Sequence, residues 1–320
     1  MAPQQPSLTK EQKEKLAILE PQLKSCVRSA DLDRAKKITA QIQELLRPTG
    51  HETRILQAKN WLYETAMEAN SLTFAKMGFE GTIQKSNKNT RLHLEAISLL
   101  AICHFREANF GRARHLIIKA VKSINNIKSE ERRKQFHSRL IERLEEESIL
   151  VGLKDESGAP LAIDEVDKQS VKLVMSKSED QIYFEMGQAV PQRSIDLLAD
   201  VRDTYTLKLP GPDRKLLPPP ITKENKEELG KRASSALKRV AWRAVCNPDS
   251  DIYKAWSQSL SVVYDKKYIA GAIVASFNSV SISVVMIAAS AAALAIKFGA
   301  EVFCETFAPN SMMIDRKEKS

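Results

Sequence analysis

Residues 94–120 read LEAISLLAICHFREANFGRARHLIIKA and decide the fold class. Apolar residues recur every three or four positions on both sides of Ala108, which is the spacing of a helix's buried face. A first run of about 15 residues, a tight turn after Ala108 and a second run predict two helices that form a hairpin.

The same pattern recurs toward the N-terminus with a period of 39 residues. Ala30, Ala69 and Ala108 fall in register, and breaker-rich loops at 47–51 and 85–90 separate the units. The other columns hold Leu16, Ile55 and Leu94; Leu19, Ala58 and Ile97; Leu23, Leu62 and Ala101; Ala35, Phe74 and Ala113; Ile38, Met77 and Leu116; and Ile42, Gly81 and Ala120. A period of this length predicts stacked helical hairpins, here three of them.

The third hairpin resembles the tetratricopeptide repeat through Ile97, Leu100, Ala101, His104, residues 108–113, Ile117 and Ala120. The resemblance covers about residues 16–125 and implies that small residues pack between the paired helices. Those positions are Ala30, Ala35, Ala69, Phe74, Ala101, Ala108 and Ala113. The chain departs from the family motif in its period, which is 34 residues in the family, and in Phe74. The resemblance further implies a face that binds peptides or partner proteins.

The rest of the chain divides by composition. The segments are a flexible terminus at 1–12, a helical repeat domain with a capping helix at 13–150, a mixed region with a Pro-rich linker at 151–220, a basic helical region at 221–267, a membrane segment at 268–298 and a tail at 299–320. Short strands are expected at 171–175 and 182–184 in the mixed region. The fold class is therefore mainly α, with a solenoid-like N-terminal domain and a C-terminal membrane helix.

Residues 269–296 read IAGAIVASFNSVSISVVMIAASAAALAI and contain no charge. A bilayer-spanning helix needs about 20 apolar residues, so the run is long enough to cross or insert. Two alternatives remain open: a buried helix of a soluble domain, or a strand, because VSISVVMI alternates. Small and hydroxyl residues at helical spacing would support self-association in lipid. They are Gly271, Ala275, Ser276, Asn278, Ser279, Ser283 and Ser290.

Basic residues precede the uncharged run and give the chain much of its net charge of +9. A basic helix beside a membrane segment is expected to face anionic headgroups, and the alternative is an ordinary solvated basic face. The residues concerned are Lys231, Arg232, Lys238, Arg239, Arg243, Lys266 and Lys267. These flanking charges favour an N-terminal domain in the cytoplasm, where cysteines stay reduced.

Motifs of enzymes are missing from the sequence. It contains no GxSxG, GxGxxG or HExxH, and its four cysteines form no CxxC pair. His93, His104 and His115 recur every 11 residues, but no cluster of carboxylates accompanies them as in a metal site, and Cys103 beside His104 would point away from it on a helix. We therefore expect no enzyme, no cofactor and no metal.

Three functions are compatible with this layout. The first is a membrane-anchored adaptor whose repeats bind a protein partner in the cytosol and whose apolar segment self-associates. The second is a membrane-disrupting, pore-forming effector, similar in layout to prokaryotic defence proteins, with the repeats as its sensor. The third is a soluble oligomeric subunit with the apolar segment buried between protomers. The expected partners are thus a protein, a membrane and further copies of the chain, with nucleic acid less favoured.

Overall fold

The computed structural model describes residues 6–154, 159–222, 225–247, 250, 253–254, 266–306 and 311–312. These residues form fifteen α-helices and no strand, apart from one isolated bridge between Lys154 and Ile282. The expectation of a mainly α chain is confirmed. Contacts divide the chain into a first unit of Met1–Leu140, Thr204–Leu216 and Asn310–Ser320, and a second unit of Ile141–Asp203 and Leu217–Pro309.

The first unit is built from hairpins that follow one another along the chain. Its helices are α1 Lys10–Ser29, α2 Leu32–Leu46, α3 Glu52–Glu68, α4 Leu72–Lys85, α5 Arg91–Arg106, α6 Phe110–Lys122, the beginning of α7 Glu130–Leu153 and the short α11 Gly211–Arg214. Each helix from α1 to α6 packs against the next, and α3 also packs against α1 and α5. This arrangement is compatible with a helical-repeat fold.

Each hairpin turns through a single residue in the left-handed conformation. These residues are Ala30, Asn70 and Ala108, with φ between 57° and 59°. The next backbone N–H donates to the carbonyl five residues earlier: Asp31 to Cys26, Ser71 to Ala66 and Asn109 to His104, at 2.8–3.2 Å. This is the Schellman arrangement that ends many helices. The donor is already the N-cap of the following helix, so each turn needs no further residues.

The second hairpin contains one residue more before its turn than the 39-residue period allows. The left-handed positions lie 40 and then 38 residues apart, because Ala69 keeps a φ of −78° and Asn70 makes the turn. The following helix is shifted accordingly. Ala75 is fully buried in the column assigned to Phe74, while Phe74 is 38% exposed and lies edge-on against Tyr63. The assignment of Phe74 and Ala69 to the packing columns was therefore wrong.

The second unit is also helical. It comprises the end of α7, α8 Ile163–Ser176, α9 Glu179–Gln188, most of α10 Gln192–Leu207, α12 Lys226–Cys246, α13 Lys266–Asn278, α14 Val285–Phe298 and α15 Ala300–Thr306. The strands expected at 171–175 and 182–184 are wrong. In α8, Val166, Ser170 and Leu173 are buried at helical spacing. Ser178 and Gln181 form a capping box that begins α9.

The uncharged run forms two helices, α13 and α14, instead of one. They are separated at residues 279–284, where Ser281 has a φ of 61°. The Asn278 amide accepts from the Leu161 backbone N–H at 2.9 Å and donates to the Leu161 carbonyl at 3.5 Å, which fixes the end of α13. Both helices pack against α8 and α12, and α14 also contacts α9. Residues 287–295 of α14 are all buried.

Among the residues that the structure describes, no helix combines the length and the apolar character that crossing a bilayer requires. The prediction of a single C-terminal membrane helix is therefore not supported, because the break at 279–284 leaves helices of 13 and 14 residues.

A disulfide joins α12 to α15 in the second unit. Cys246 and Cys304 are bonded with their Cα atoms 5.4 Å apart, and the Trp242 indole donates to the Cys304 carbonyl at 3.1 Å. The expectation that the cysteines are reduced is wrong for this pair. Cys26 and Cys103, both in the first unit, are free and buried.

Candidate peptide-binding surface

Helix α3 carries polar residues that are buried, which is unusual for these residue types. Gln57, Asn60, Glu64 and Glu68 are each at most 4% exposed and follow one another at helical spacing. We call these four residues the α3 polar stripe. A buried polar group is stable only if it has hydrogen-bond partners, so the partners of the stripe show what it is built to hold.

Two members of the stripe have partners on α5 or at its beginning. The Glu68 carboxylate accepts from the Arg106 guanidinium at 3.0 Å, and a second Arg106 nitrogen donates to the Met67 carbonyl. The Asn60 amide donates to the Leu92 carbonyl at 3.5 Å. These bonds link neighbouring hairpins and therefore belong to the structure of the repeat itself.

Glu64 binds a segment that is distant in sequence. One carboxylate oxygen accepts from the Ser311 hydroxyl at 2.8 Å, and the other accepts from the Met312 backbone N–H at 2.6 Å. Met312 is only 4% exposed, so its apolar side chain is buried together with these bonds. Hydrogen bonds to an ionised carboxylate are shorter and stronger than those between neutral groups. The first unit thus already holds a short piece of polypeptide through a backbone donor, a hydroxyl and an apolar side chain.

The small residues predicted from the repeat take two different positions. Ala35, Ala101 and Ala113 are fully buried, whereas Ala30 and Ala108 make the turns. Glu64 and its partners were missed from the sequence. The sequence does show these polar residues at helical spacing on a repeat helix. Without a known partner, that pattern is the same as the solvent-exposed face of any helix.

A second cluster of charges lies inside the second unit, where α7 meets α10 and α12. The Arg202 and Arg232 guanidinium groups lie 3.1 and 3.4 Å from the two oxygens of Glu145. Arg239 donates to Glu146 at 2.6 Å, and the Ser235 hydroxyl donates to its other oxygen at 2.9 Å. Arg232 and Arg239 were predicted to face lipid. That prediction is wrong, because buried glutamates of the same unit require cations.

The other predicted basic residues are dispersed. Lys231 is exposed and pairs with Glu227 at 2.5 Å, and Lys267 is exposed and pairs with Asp164 at 2.8 Å. Lys238 and Arg243 are partly buried, and the side chain of Lys266 lies outside the described residues. These positions do not form one continuous basic face.

Burial dominates the titration of this cluster. It raises the pKa of the Glu146 carboxyl to about 7, against the opposing effect of Arg143 and the Ser235 hydrogen bond. Burial also raises the pKa of Glu145, although Arg232 and Arg202 oppose it. The same desolvation lowers the pKa of Lys238 to about 8.

The residues predicted to mediate self-association are also separated by the fold. Ser290 is fully buried within α14, and Gly271, Ser276 and Ser283 are partly buried. Ala275, Asn278 and Ser279 are exposed, and the Ser279 hydroxyl donates to the Ser276 carbonyl in the last turn of α13. Burial divides the set, so it does not form a single exposed seam.

Within the described ranges, no group of three His, Cys, Asp or Glu residues could hold a metal ion. Of the three histidines spaced 11 apart, His93 contacts the Ser86 hydroxyl at 3.0 Å, and burial lowers its pKa and that of His104. His115 is exposed. The fold thus places these histidines in different surroundings.

No protein-family model, no curated protein and no solved structure matches this chain. The likeness to tetratricopeptide repeats therefore stays a resemblance, and function has to be inferred from the geometry of the α3 polar stripe.

Proposed function

We propose that this chain is a helical-repeat adaptor whose first unit binds a segment of a partner protein at the α3 polar stripe. The observation that carries the proposal is the pair of hydrogen bonds from Ser311 and Met312 to Glu64. Helical repeats present extended surfaces that suit protein ligands, and Glu64 accepts from the backbone, which every peptide offers.

The chemistry of the site favours a peptide over a small ion. A carboxylate that is 2% exposed is stable when it receives charge-assisted hydrogen bonds, and Glu64 receives one of them from a main-chain N–H. The buried side chain of Met312 in the bound segment adds apolar contact, which supplies affinity without strict shape requirements. The site therefore combines a general backbone acceptor with a preference for an apolar side chain.

The stripe can be tested with a phage-displayed library of random 12-residue peptides, selected on the full chain. We expect enrichment on the wild-type chain and a reduction of about ten-fold or more on the Glu64→Gln variant, which loses one of two strong acceptors. Glu107→Gln is the matched control. Glu107 carries the same charge at the end of α5, where it pairs with Lys76. Equal enrichment on all three chains would contradict the proposal.

A membrane-disrupting role remains the second candidate, and one observation favours it. Residues 269–296 have no charge and form the α13–α14 hairpin. However, a helix of 14 residues is about 21 Å long, whereas the hydrocarbon core is about 30 Å thick. Insertion would also require the hairpin to leave α8 and α12. Dye release from anionic vesicles by the full chain would support this role. Vesicles that stay intact would contradict it.

A further inference from the structure

We propose that the segment containing Ser311 and Met312 is an internal ligand, which occupies the partner site on α3 and must leave before a partner peptide can bind. This inference rests on the proposed function and adds its regulation. One geometric fact supports it: the same two oxygens of Glu64 that would receive a partner's donors already accept hydrogen bonds from the chain itself.

The contact has the properties of ligand binding. Ser311 and Met312 lie 247 and 248 residues from Glu64 along the chain, so the contact is not a by-product of local structure. It uses one backbone donor, one side-chain donor and one buried apolar side chain. A partner that presents a hydroxyl residue followed by a long apolar residue would reproduce all three contacts. The ligand class is therefore a peptide segment of the Ser-Met type.

An internal ligand lowers the apparent affinity of an external one. If the segment occupies the site for nine-tenths of the time, the apparent dissociation constant rises about ten-fold, because only the open fraction can bind. Being part of the same chain, the segment also has a high effective concentration. The site would then respond to abundant or multivalent partners and ignore weak ones.

The internal ligand can be released without shortening the chain. Met312→Asp places a charge in a position that is 4% exposed and beside the Glu64 carboxylate, so burial and repulsion both oppose docking. Ser311→Asp removes the hydroxyl donor and brings a second carboxylate toward Glu64. The matched control is Met77→Asp, the same change at a position of the first unit that is 68% exposed.

The probe is a fluorescein-labelled peptide with the sequence of residues 307–320, FAPNSMMIDRKEKS. Fluorescence anisotropy with full-length chains should show at least ten-fold tighter binding to Met312→Asp than to the wild type. Ser311→Asp should move in the same direction, and Met77→Asp should bind as the wild type does. Adding Glu64→Gln to Met312→Asp should remove at least ten-fold of the affinity, since the acceptor of both donors is weakened.

The outcomes separate this inference from the proposed function. If library peptides bind the wild type and both release variants equally well, the site is open and the inference is wrong while the adaptor function stands. If folded release variants bind neither the labelled peptide nor any library peptide, both are wrong. Because Ser311→Asp changes a partly exposed residue, it provides the answer if Met312→Asp perturbs folding.

Discussion

The two units of this chain are held together in different ways. In the first unit, helices that are adjacent in sequence pack in order, and the same turn is used three times. In the second unit, the decisive contacts are single and distant: Leu161 with Asn278, Glu146 with Arg239, and Cys246 with Cys304. Repetition makes the fold of a unit predictable from its sequence, because each hairpin provides evidence about the others. A contact that occurs once provides no such evidence.

The largest expected difference between the units comes from the disulfide. Replacing Cys246 and Cys304 by serine opens a loop of 58 residues, and loop-closure entropy predicts a loss of about 4 kcal/mol in the second unit. Hydrogen exchange resolved by mass spectrometry should show faster exchange in α12 and unchanged exchange in α3. Reductant should affect the wild type in the same way and have no effect on the double variant. Equal exchange in α12 before and after replacement would show that the bond is dispensable.

The next largest effect is expected where α9 crosses α12. A Cβ atom on Gly230 would overlap the Tyr183 carbonyl, and one on Gly187 would overlap the Lys226 carbonyl. Since backbone atoms cannot rotate away, Gly230→Ala should force the helices apart and destabilise the second unit by about 3 kcal/mol. Chemical denaturation followed by circular dichroism measures this loss.

Gly81 provides the control for the crossing. It lies in α4 of the first unit, and a Cβ atom there would meet nothing within 4 Å. Gly81→Ala should therefore stabilise the chain by about 0.5–1 kcal/mol through helix propensity alone. If both substitutions changed stability in the same direction, close approach at Gly230 would not be the cause.

These two units show what could be predicted and why. The helical hairpins and the buried columns of Ala35, Ala101 and Ala113 were predictable, because burial at helical spacing repeats. The burial of Arg232 and Arg239 was not, because the same basic residues suit water, lipid headgroups or a buried carboxylate. The break at 279–284 was missed for a related reason. The absence of charge in residues 269–296 indicates that they are buried, but it does not distinguish one helix from two.

A third difference concerns pH. Because the pKa of Glu146 is raised to about 7 from 4.5, its protonated form favours the folded second unit. That contribution is fully present below about pH 4.5 and is lost as the pH rises to about 7. Lys238, lowered to about 8, is charged throughout this window and does not change its contribution there.

Glu146→Gln isolates the contribution of Glu146 protonation to stability, since glutamine is neutral at every pH. Relative to the wild type, the variant should gain stability between pH 4.5 and 7, on the order of 3 kcal/mol. Urea unfolding at several pH values measures the difference between the two proteins, and the shared titrations cancel. A difference that does not vary with pH would mean that Glu146 stays ionised in the fold, held by Arg143 and Arg239.

The smallest expected effect concerns the register of the helical hairpins in the first unit. Ala30 and Ala108 have a φ of 57°, a conformation that disfavours residues with a Cβ atom, whereas Ala69 has a φ of −78°. Ala108→Gly and Ala30→Gly should therefore stabilise their turns by about 1 kcal/mol. Ala69→Gly should not, although the 39-residue period aligns the three alanines.

Exchange protection at the ends of α1, α3 and α5 can distinguish the two registers. Protection should rise at α1 and α5 and stay the same or fall at α3. If all three glycines stabilised their turns equally, the repeat would have one register and Ala69, not Asn70, would make the second turn. If only Ala30→Gly and Ala108→Gly stabilised their turns, one inserted residue has shifted α4 relative to the 39-residue period. A repeat can thus preserve its packing while the sequence that encodes it slips by one position.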